Sequence, residues 1–246
     1  MSVNRKWVHE KYHFEAKLQR RIIGKGNFTY RTTIELINEF FKNRKAVLDI
    51  GCGVGTIAYY LAKKGHNVRG IDISKRAINI ARENARIFGL QGKIQFSVTD
   101  FPKEKITGQY DGILISEVLE HLEDDKMAVK VIYRLSRKNT MVIASSPSNK
   151  ALLYRLGILK DFDMRVGHVR RYSEGEFRKL FENNGFKVKK LIKTEGVFRN
   201  FLFTNNNAGN LIKFIRGPIT NVITFVDNIL LRLFGESQLM LVAIKK

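Results

Sequence analysis

The chain of 246 residues contains a single cysteine, Cys52, which excludes an internal disulfide framework and a cysteine-ligated zinc cluster. No run of 18 or more residues is both uncharged and largely apolar, so a conventional membrane-spanning helix is not expected. The opening MSVNRKWVHEKYHFEAK lacks the apolar core of a secretion signal. These absences set the expectation of a cytoplasmic protein, either free or seated peripherally at the inner face of the membrane. Acidic residues are also scarce, with 23 Asp and Glu against 44 Lys and Arg, giving a formal net charge of +21. The excess is spread over both halves of the chain. It fits a general attraction to polyanions, whether an anionic membrane surface or nucleic acid, and equally a plain compositional bias.

The most informative stretch is AVLDIGCGVG at residues 46–55, an apolar strand running into Gly51, Gly53 and Gly55. Closely spaced glycines at a strand end permit tight turning and let a ligand press against bare backbone. A dinucleotide fingerprint would place its third small residue at Thr56, and here the glycine falls at Gly55 instead. The spacing points to an S-adenosylmethionine site. A second strand over 67–72 ends in Asp72, whose carboxylate can accept from a ribose diol. A third, at about 93–100, ends in Asp100 followed by Phe101, a carboxylate for an exocyclic amine and a ring for a base. The fourth segment, YDGILISEVLEHL, follows in order.

In this series the chain resembles the class I S-adenosylmethionine-dependent methyltransferases, in particular the small-molecule branch that includes the ubiquinone-biosynthesis O-methyltransferases. The resemblance covers residues 40–195 and a last strand at 239–246. It implies a Rossmann-like, doubly wound α/β fold with a seven-stranded sheet, mostly parallel, whose last strand is antiparallel. It also implies that Asp49 and the backbone of Gly51, Cys52, Gly53 and Gly55 hold the methionyl part, and that Asp72 and Ile73 hold the ribose. Asp100 and Phe101 would then hold the adenine, with Ser116 and Glu117 flooring the pocket near the methyl group. Cys52 itself reads as a small filler rather than a nucleophile.

Apolar periodicity predicts a helix over 32–42 and strands at 46–51, 67–72, 93–100, 110–116, 140–147, 186–194 and 239–246. Helices are predicted over 55–64, over 75–88 with Ser74 as cap, over 124–135, and from Ser173, with Glu176 completing a capping box, to Gly185. Residues 1–45 form an N-terminal helical region expected to flank the cofactor pocket, and 46–246 the methyltransferase domain. Within that domain, about 196–237 is a helical insertion. In it Ile219, Val222, Ile223, Val226, Ile229, Leu230 and Leu233 recur at spacings of three and four. One reading makes this an ordinary helix over the core or a homodimer contact; the other lays 211–234 in a membrane interface.

Methyl transfer from a sulfonium needs alignment and, for a hydroxyl acceptor, a base. The candidates are His121, in EVLEHL, and His168, in RVGHVRRYS, where Gly167, His168, Arg170 and Tyr172 form a motif seen in the same branch. Two roles stay open for it: His168 as base with Arg170 or Arg171 clamping an acidic acceptor, or a structural latch. Glu117, Glu120 and His121 have residue types that can bind a cation, but no metal is assigned. The acceptor is expected to be a small or lipid-linked molecule. Nucleic acid is disfavoured because Ser116-Glu117-Val118-Leu119 stands where base-amino methyltransferases carry a D/N-P-P-Y/F turn, and no cysteine lies nearby. A non-catalytic cofactor-binding protein is the remaining alternative.

Overall fold

The computed structural model describes residues 22–24, 26–205 and 218–246. Seven strands form one sheet: β1 (Ala46–Ile50), β2 (Asn67–Asp72), β3 (Ile94–Val98), β4 (Tyr110–Ser116), β5 (Ser136–Pro147), β6 (Phe186–Thr194) and β7 (Gln238–Lys245). Their order is β3-β2-β1-β4-β5-β7-β6. The first five pair in parallel, and β7 runs antiparallel to both β5 and β6. The sequence-derived fold class is therefore the observed one. Strand order reverses between β1 and β4, which opens a crevice beyond the carboxyl ends of the strands, where such sheets bind ligands.

Side chains alternate across each strand, so one strand feeds two cores. Leu48 and Ile50 of β1 join Ile113 and Ile115 of β4 on one face, while Val47 and Leu114 join the core on the other. Helices α1 (Arg31–Phe40), α2 (Thr56–Lys63) and α3 (Lys75–Ile87) contribute to the second face. Helices α4 (Asp125–Leu135) and α7 (Glu174–Glu182) contribute to the first. The caps form as the sequence indicates: Ser74 accepts from Ala77, and Ser173 and Glu176 complete a reciprocal capping box.

Three features go beyond or depart from the sequence reading. Helix α1 buries Ile34, Leu36 and Ile37 in the same core as Val47 and Ile143, so it covers the sheet. The rest of the proposed N-terminal region, residues 1–21, lies outside the described residues. Strand β5 begins at Ser136, ahead of the predicted 140, because Ser136 pairs with Tyr110 across an irregularity in the register. Finally, the connection after β5 carries two short helices, α5 (Leu152–Arg155) and α6 (Lys160–Val166), that bury no residue and leave no periodicity to read. In the insertion, α8 (Val197–Thr204) and α9 (Pro218–Phe234) are helical as expected, and 206–217 lie outside the described residues.

Candidate active site

At the strand reversal lies a pocket that is open to solvent. Ile50 and Gly51 come from the end of β1, and Ile71, Asp72 and Ile73 from β2. Thr99 and Phe101 follow β3, and Glu117, Val118, His121 and Leu122 follow β4. Gly51, Asp72, Ile73, Phe101, Glu117 and His121, all singled out in the sequence, thus line one pocket. Gly51 has φ of 71°, and a Cβ there would fall 2.3 Å from Val118 Cγ2, so Val118 rests on bare backbone. Gly51→Ala is expected to weaken nucleoside binding more than tenfold and to cost about 1–3 kcal/mol of stability, measured by calorimetry and thermal unfolding.

The glycine turn is closed on itself. The amides of Gly51 and Cys52 both donate to the Ile71 carbonyl at 2.8 and 3.0 Å, and that of Gly55 donates to the Cys52 carbonyl at 2.9 Å. The Gly53 amide donates to Asp72 Oδ2 at 2.9 Å. Amides engaged in this way cannot cradle a pyrophosphate, which needs N–H groups aimed at the ligand. Asp72 also accepts from the Ser74 amide at 2.8 Å through its other oxygen. A carboxylate oxygen accepts more than one bond, so a ribose hydroxyl can still be held.

Asp49 is 3 % exposed, and its Oδ2 has no hydrogen-bond partner among the described residues. Burial, reinforced by the nearby Asp72 charge, pushes its pKa from 3.8 to about 7. An orphaned buried carboxylate calls for a cation or a donor. In a chain of net charge +21, a crevice lined by Asp72 and Glu117, with Asp49 buried just behind Ile50 of its wall, is locally acidic and suited to a positively charged ligand.

Several assigned residues do not face the pocket. The Cys52 thiol packs in the core, where burial and then the Asp49 and Asp72 charges push its pKa up, so it is not a nucleophile. Ser116 points behind the site, its hydroxyl 2.7 Å from that of Ser145, which in turn donates to Glu117 Oε1 at 2.8 Å. Asp100 lies beside Lys103, with an Nζ to Oδ2 distance of 4.0 Å, and the wall at this point is made by Thr99 and Phe101. Gly53 and Gly55 shape the turn rather than the pocket wall.

A second cluster adjoins the pocket. Glu117, at φ 54°, leaves the strand in a left-handed conformation that redirects its carboxylate, which Gln238 also holds at 2.8 Å. It is not on a helix with His121; only Leu119–His121 form a single 3-10 turn. Glu120 is fully buried. Its Oε2 accepts from Ser146 at 2.9 Å, while Oε1 has no partner among the described residues. Burial, then the Glu117 charge, holds its carboxyl well above the usual range. His121 Nδ1 stands 3.1 Å from the Gly167 carbonyl and can only donate to it, which assigns the proton to Nδ1 and acceptor character to Nε2.

His168 is arranged similarly. The left-handed Gly167, at φ 80°, folds the chain so that the amides of Gly167 and His168 both return to the Asp163 carbonyl at 2.9 Å. The His168 ring then meets the Asp163 carboxylate, with Nδ1 to Oδ1 at 2.9 Å. Burial would raise the Asp163 pKa, but hydrogen bonds from His168 and Arg171 outweigh it and hold the carboxyl below the usual range. The two imidazoles lie 4.8 Å apart. One ligand atom from each of Glu120, His121 and His168 falls within 4.8 Å of the others.

Neither arginine of the motif is an acceptor clamp. Arg170 binds Asp125 at 2.7 Å and the Glu123 carbonyl at 2.7 Å. Arg171, with its side chain 3 % exposed, is paired with Asp163 at 2.6 Å. The Tyr172 hydroxyl donates to Asp125 at 2.8 Å. Within the motif, Arg171 thus shares Asp163 with His168, while Arg170 and Tyr172 share Asp125. Asp163 was missed in the sequence because its link to His168 depends on the turn at Gly167.

Fold, strand reversal and pocket together define a nucleoside-binding α/β protein. A family model described as a methyltransferase domain matches residues 20–191, and the chain belongs to that family. It is 30 % identical over 115 residues to the ubiquinone biosynthesis O-methyltransferase of Aeromonas salmonicida, an alignment covering 47 % of this chain and 48 % of that protein. The match thus spans about half the length of the curated relative. Among solved structures, a SAM-dependent methyltransferase from Archaeoglobus fulgidus superposes with TM-score 0.60 at 22 % identity, over 87 % of this chain and 92 % of the other. The magnesium protoporphyrin IX methyltransferase of Synechocystis PCC 6803, with bound SAH, gives TM-score 0.60 at 18 % identity, over 87 % and 80 %. At these identities the structures speak for the fold.

Proposed function

We propose that the chain transfers a methyl group from S-adenosylmethionine to an oxygen or nitrogen of a small or lipid-linked acceptor. The observation that carries this reading is the orphaned, buried Asp49, close to Asp72 and next in sequence to Ile50 of the pocket wall. The amides of Gly51, Cys52, Gly53 and Gly55 are spent within the turn and on Asp72, whereas a nucleoside with an ammonium at its other end finds Asp72 and, just behind the wall, Asp49. Asp72 holds the ribose, Ile73, Thr99 and Phe101 enclose the base, and Asp49 meets the ammonium. The donor supplies the electrophilic methyl; the protein aligns the acceptor and removes its proton. His168, oriented by Asp163, has the tautomer and support of a base. RNA as acceptor and a non-catalytic role are the alternatives, and no specific contact favours either.

One observation favours a second reading of the reaction centre. Two imidazoles with Nδ1 tied to Gly167 and Asp163, converging with the unpartnered Glu120 oxygen, are a donor set for a divalent cation. Such a cation would hold the acceptor oxygen and lower its pKa.

The test uses the full chain with methyl-labelled S-adenosylmethionine and a panel of phenols, prenylated phenols, sugars and amines. Labelled product and S-adenosylhomocysteine should appear in equal amounts with at least one acceptor class. Chelation with magnesium or zinc add-back decides between the base and the cation. Label passing only to RNA would contradict the assignment.

A further inference from the structure

Helix α9 is inverted relative to an ordinary surface helix. Its two fully buried side chains are polar, Thr220 at 3 % and Asp227 at 1 % exposure. Its exposed side chains are largely apolar: Ile219, Val222, Phe225, Val226, Ile229 and Leu233 are between 44 % and 69 % exposed. Polar contacts hold this orientation. Asp227 accepts from the Gly196 amide at 2.7 Å and the Arg199 amide at 3.0 Å, capping the start of α8. Arg31 donates to Asn221 at 2.9 Å, tying α9 to α1. Rotating α9 to bury its apolar stripe would strand Asp227 and uncap α8. The packing therefore keeps the apolar face outward, and Phe198 and Phe201 of α8, 40 % and 45 % exposed, add to the exposed apolar surface of this helix pair.

An apolar patch of this kind marks a docking surface. We infer that the outer face of α8 and α9 docks on an anionic lipid bilayer, with α9 lying in the plane of the interface. Charge selects the occupant. Between Gly196 and Gly235 the sequence carries Lys213, Arg216 and Arg232 besides Arg199, which is buried and paired with Glu195, and its one acid, Asp227, is buried too. A second copy would bring another net +21 against the first, whereas anionic headgroups attract it. Among the described residues no helix is long and apolar enough to cross a membrane, so the helix lies on the bilayer rather than through it. The chain leaving the C-terminal end of α9 runs directly to the proposed reaction centre. Just past α9, Glu236 accepts from Ser148 at 3.1 Å and Gln238 donates to Glu117 at 2.8 Å. Docking places the acceptor side of the pocket beside the lipid, which suits a membrane-borne acceptor on the reading of function given above.

The experiment is flotation of the full chain with phosphatidylcholine vesicles, with and without phosphatidylglycerol. It compares the wild type with a triple variant, Val222→Ser, Phe225→Ser and Leu233→Ser, at exposed positions the fold does not need. The wild type should float with the anionic vesicles, and bind them roughly tenfold more weakly at high salt than at low. The triple variant should lose binding by at least about tenfold, with unchanged thermal unfolding and unchanged S-adenosylhomocysteine affinity. No flotation of the wild type, or equal flotation of the variant, overturns the inference. So does a wild-type dimer that the variant converts to monomer while vesicles bind neither. Because flotation is read without turnover, membrane docking and methyl transfer can fail separately.

Discussion

Asp49→Asn is expected to weaken S-adenosylmethionine binding by roughly a hundredfold and, at pH 8, to raise the unfolding temperature of the ligand-free protein. Both effects follow from one carboxylate. Its pKa stands at about 7 against the ordinary 3.8, so the empty fold prefers it neutral. A raised acid pKa gives stability that is fully present below pH 4 and lost as pH rises through 7. Above pH 7 the empty protein carries a buried, unpartnered charge, and the amide variant does not. The gain should be about 1–3 kcal/mol, below the ~4 kcal/mol ceiling that the pKa difference sets. The ligand's ammonium pairs with the ionised form, so removing that charge costs about 2–3 kcal/mol of binding, the size of a charged hydrogen bond. In the wild type, affinity should fall about tenfold from pH 8 to pH 6 as Asp49 takes up a proton. In the variant this pH dependence should vanish. A variant less stable and equally tight would place the ammonium elsewhere.

His168→Ala is expected to lower the turnover of methyl transfer by roughly a hundredfold to ten-thousandfold while leaving cofactor affinity within about threefold. The separation is geometric. His168 is absent from the wall of the nucleoside pocket, whereas His121 lines it. The His168 ring is held by Asp163, which Arg171 also binds. Asp163→Asn should therefore lose part of the same activity through misplacement of the ring, and a small added imidazole should restore His168→Ala more than Asp163→Asn. Unchanged turnover in His168→Ala would make the motif a latch alone. Equal losses of turnover and cofactor affinity would place His168 in the nucleoside site.

The strands and the glycine turn were legible because their signals are local. An apolar run ending in Gly51 and strand-end acids at Asp49 and Asp72 need no distant contact to be recognised. The caps at Ser74 and Ser173 also follow from local pattern, whereas the antiparallel end of the sheet was implied only by the family resemblance. What escaped depends on pairing across the fold. Ser116 seemed to face the methyl group, yet its hydroxyl turns to Ser145 on the neighbouring strand. Arg170 and Arg171 looked available for a substrate anion until the loop folded back and gave them Asp125 and Asp163. Helix α9 is the clearest case. Its periodicity is plain in the sequence, but periodicity does not say which face turns inward, and the choice was made by Asp227 reaching the amides of Gly196 and Arg199.

The central claim is that a cationic adenosyl nucleoside binds where Asp49 waits without a partner. Calorimetric titration of the full chain with S-adenosylhomocysteine, which keeps the ammonium, tests it when run at pH 6 in two buffers of different ionisation enthalpy. The account expects saturable one-to-one binding with release of close to one proton, lost in Asp49→Asn, and no saturation by nicotinamide dinucleotide. Binding of the dinucleotide in place of the homocysteine nucleoside would contradict it, as would tight binding with no proton released.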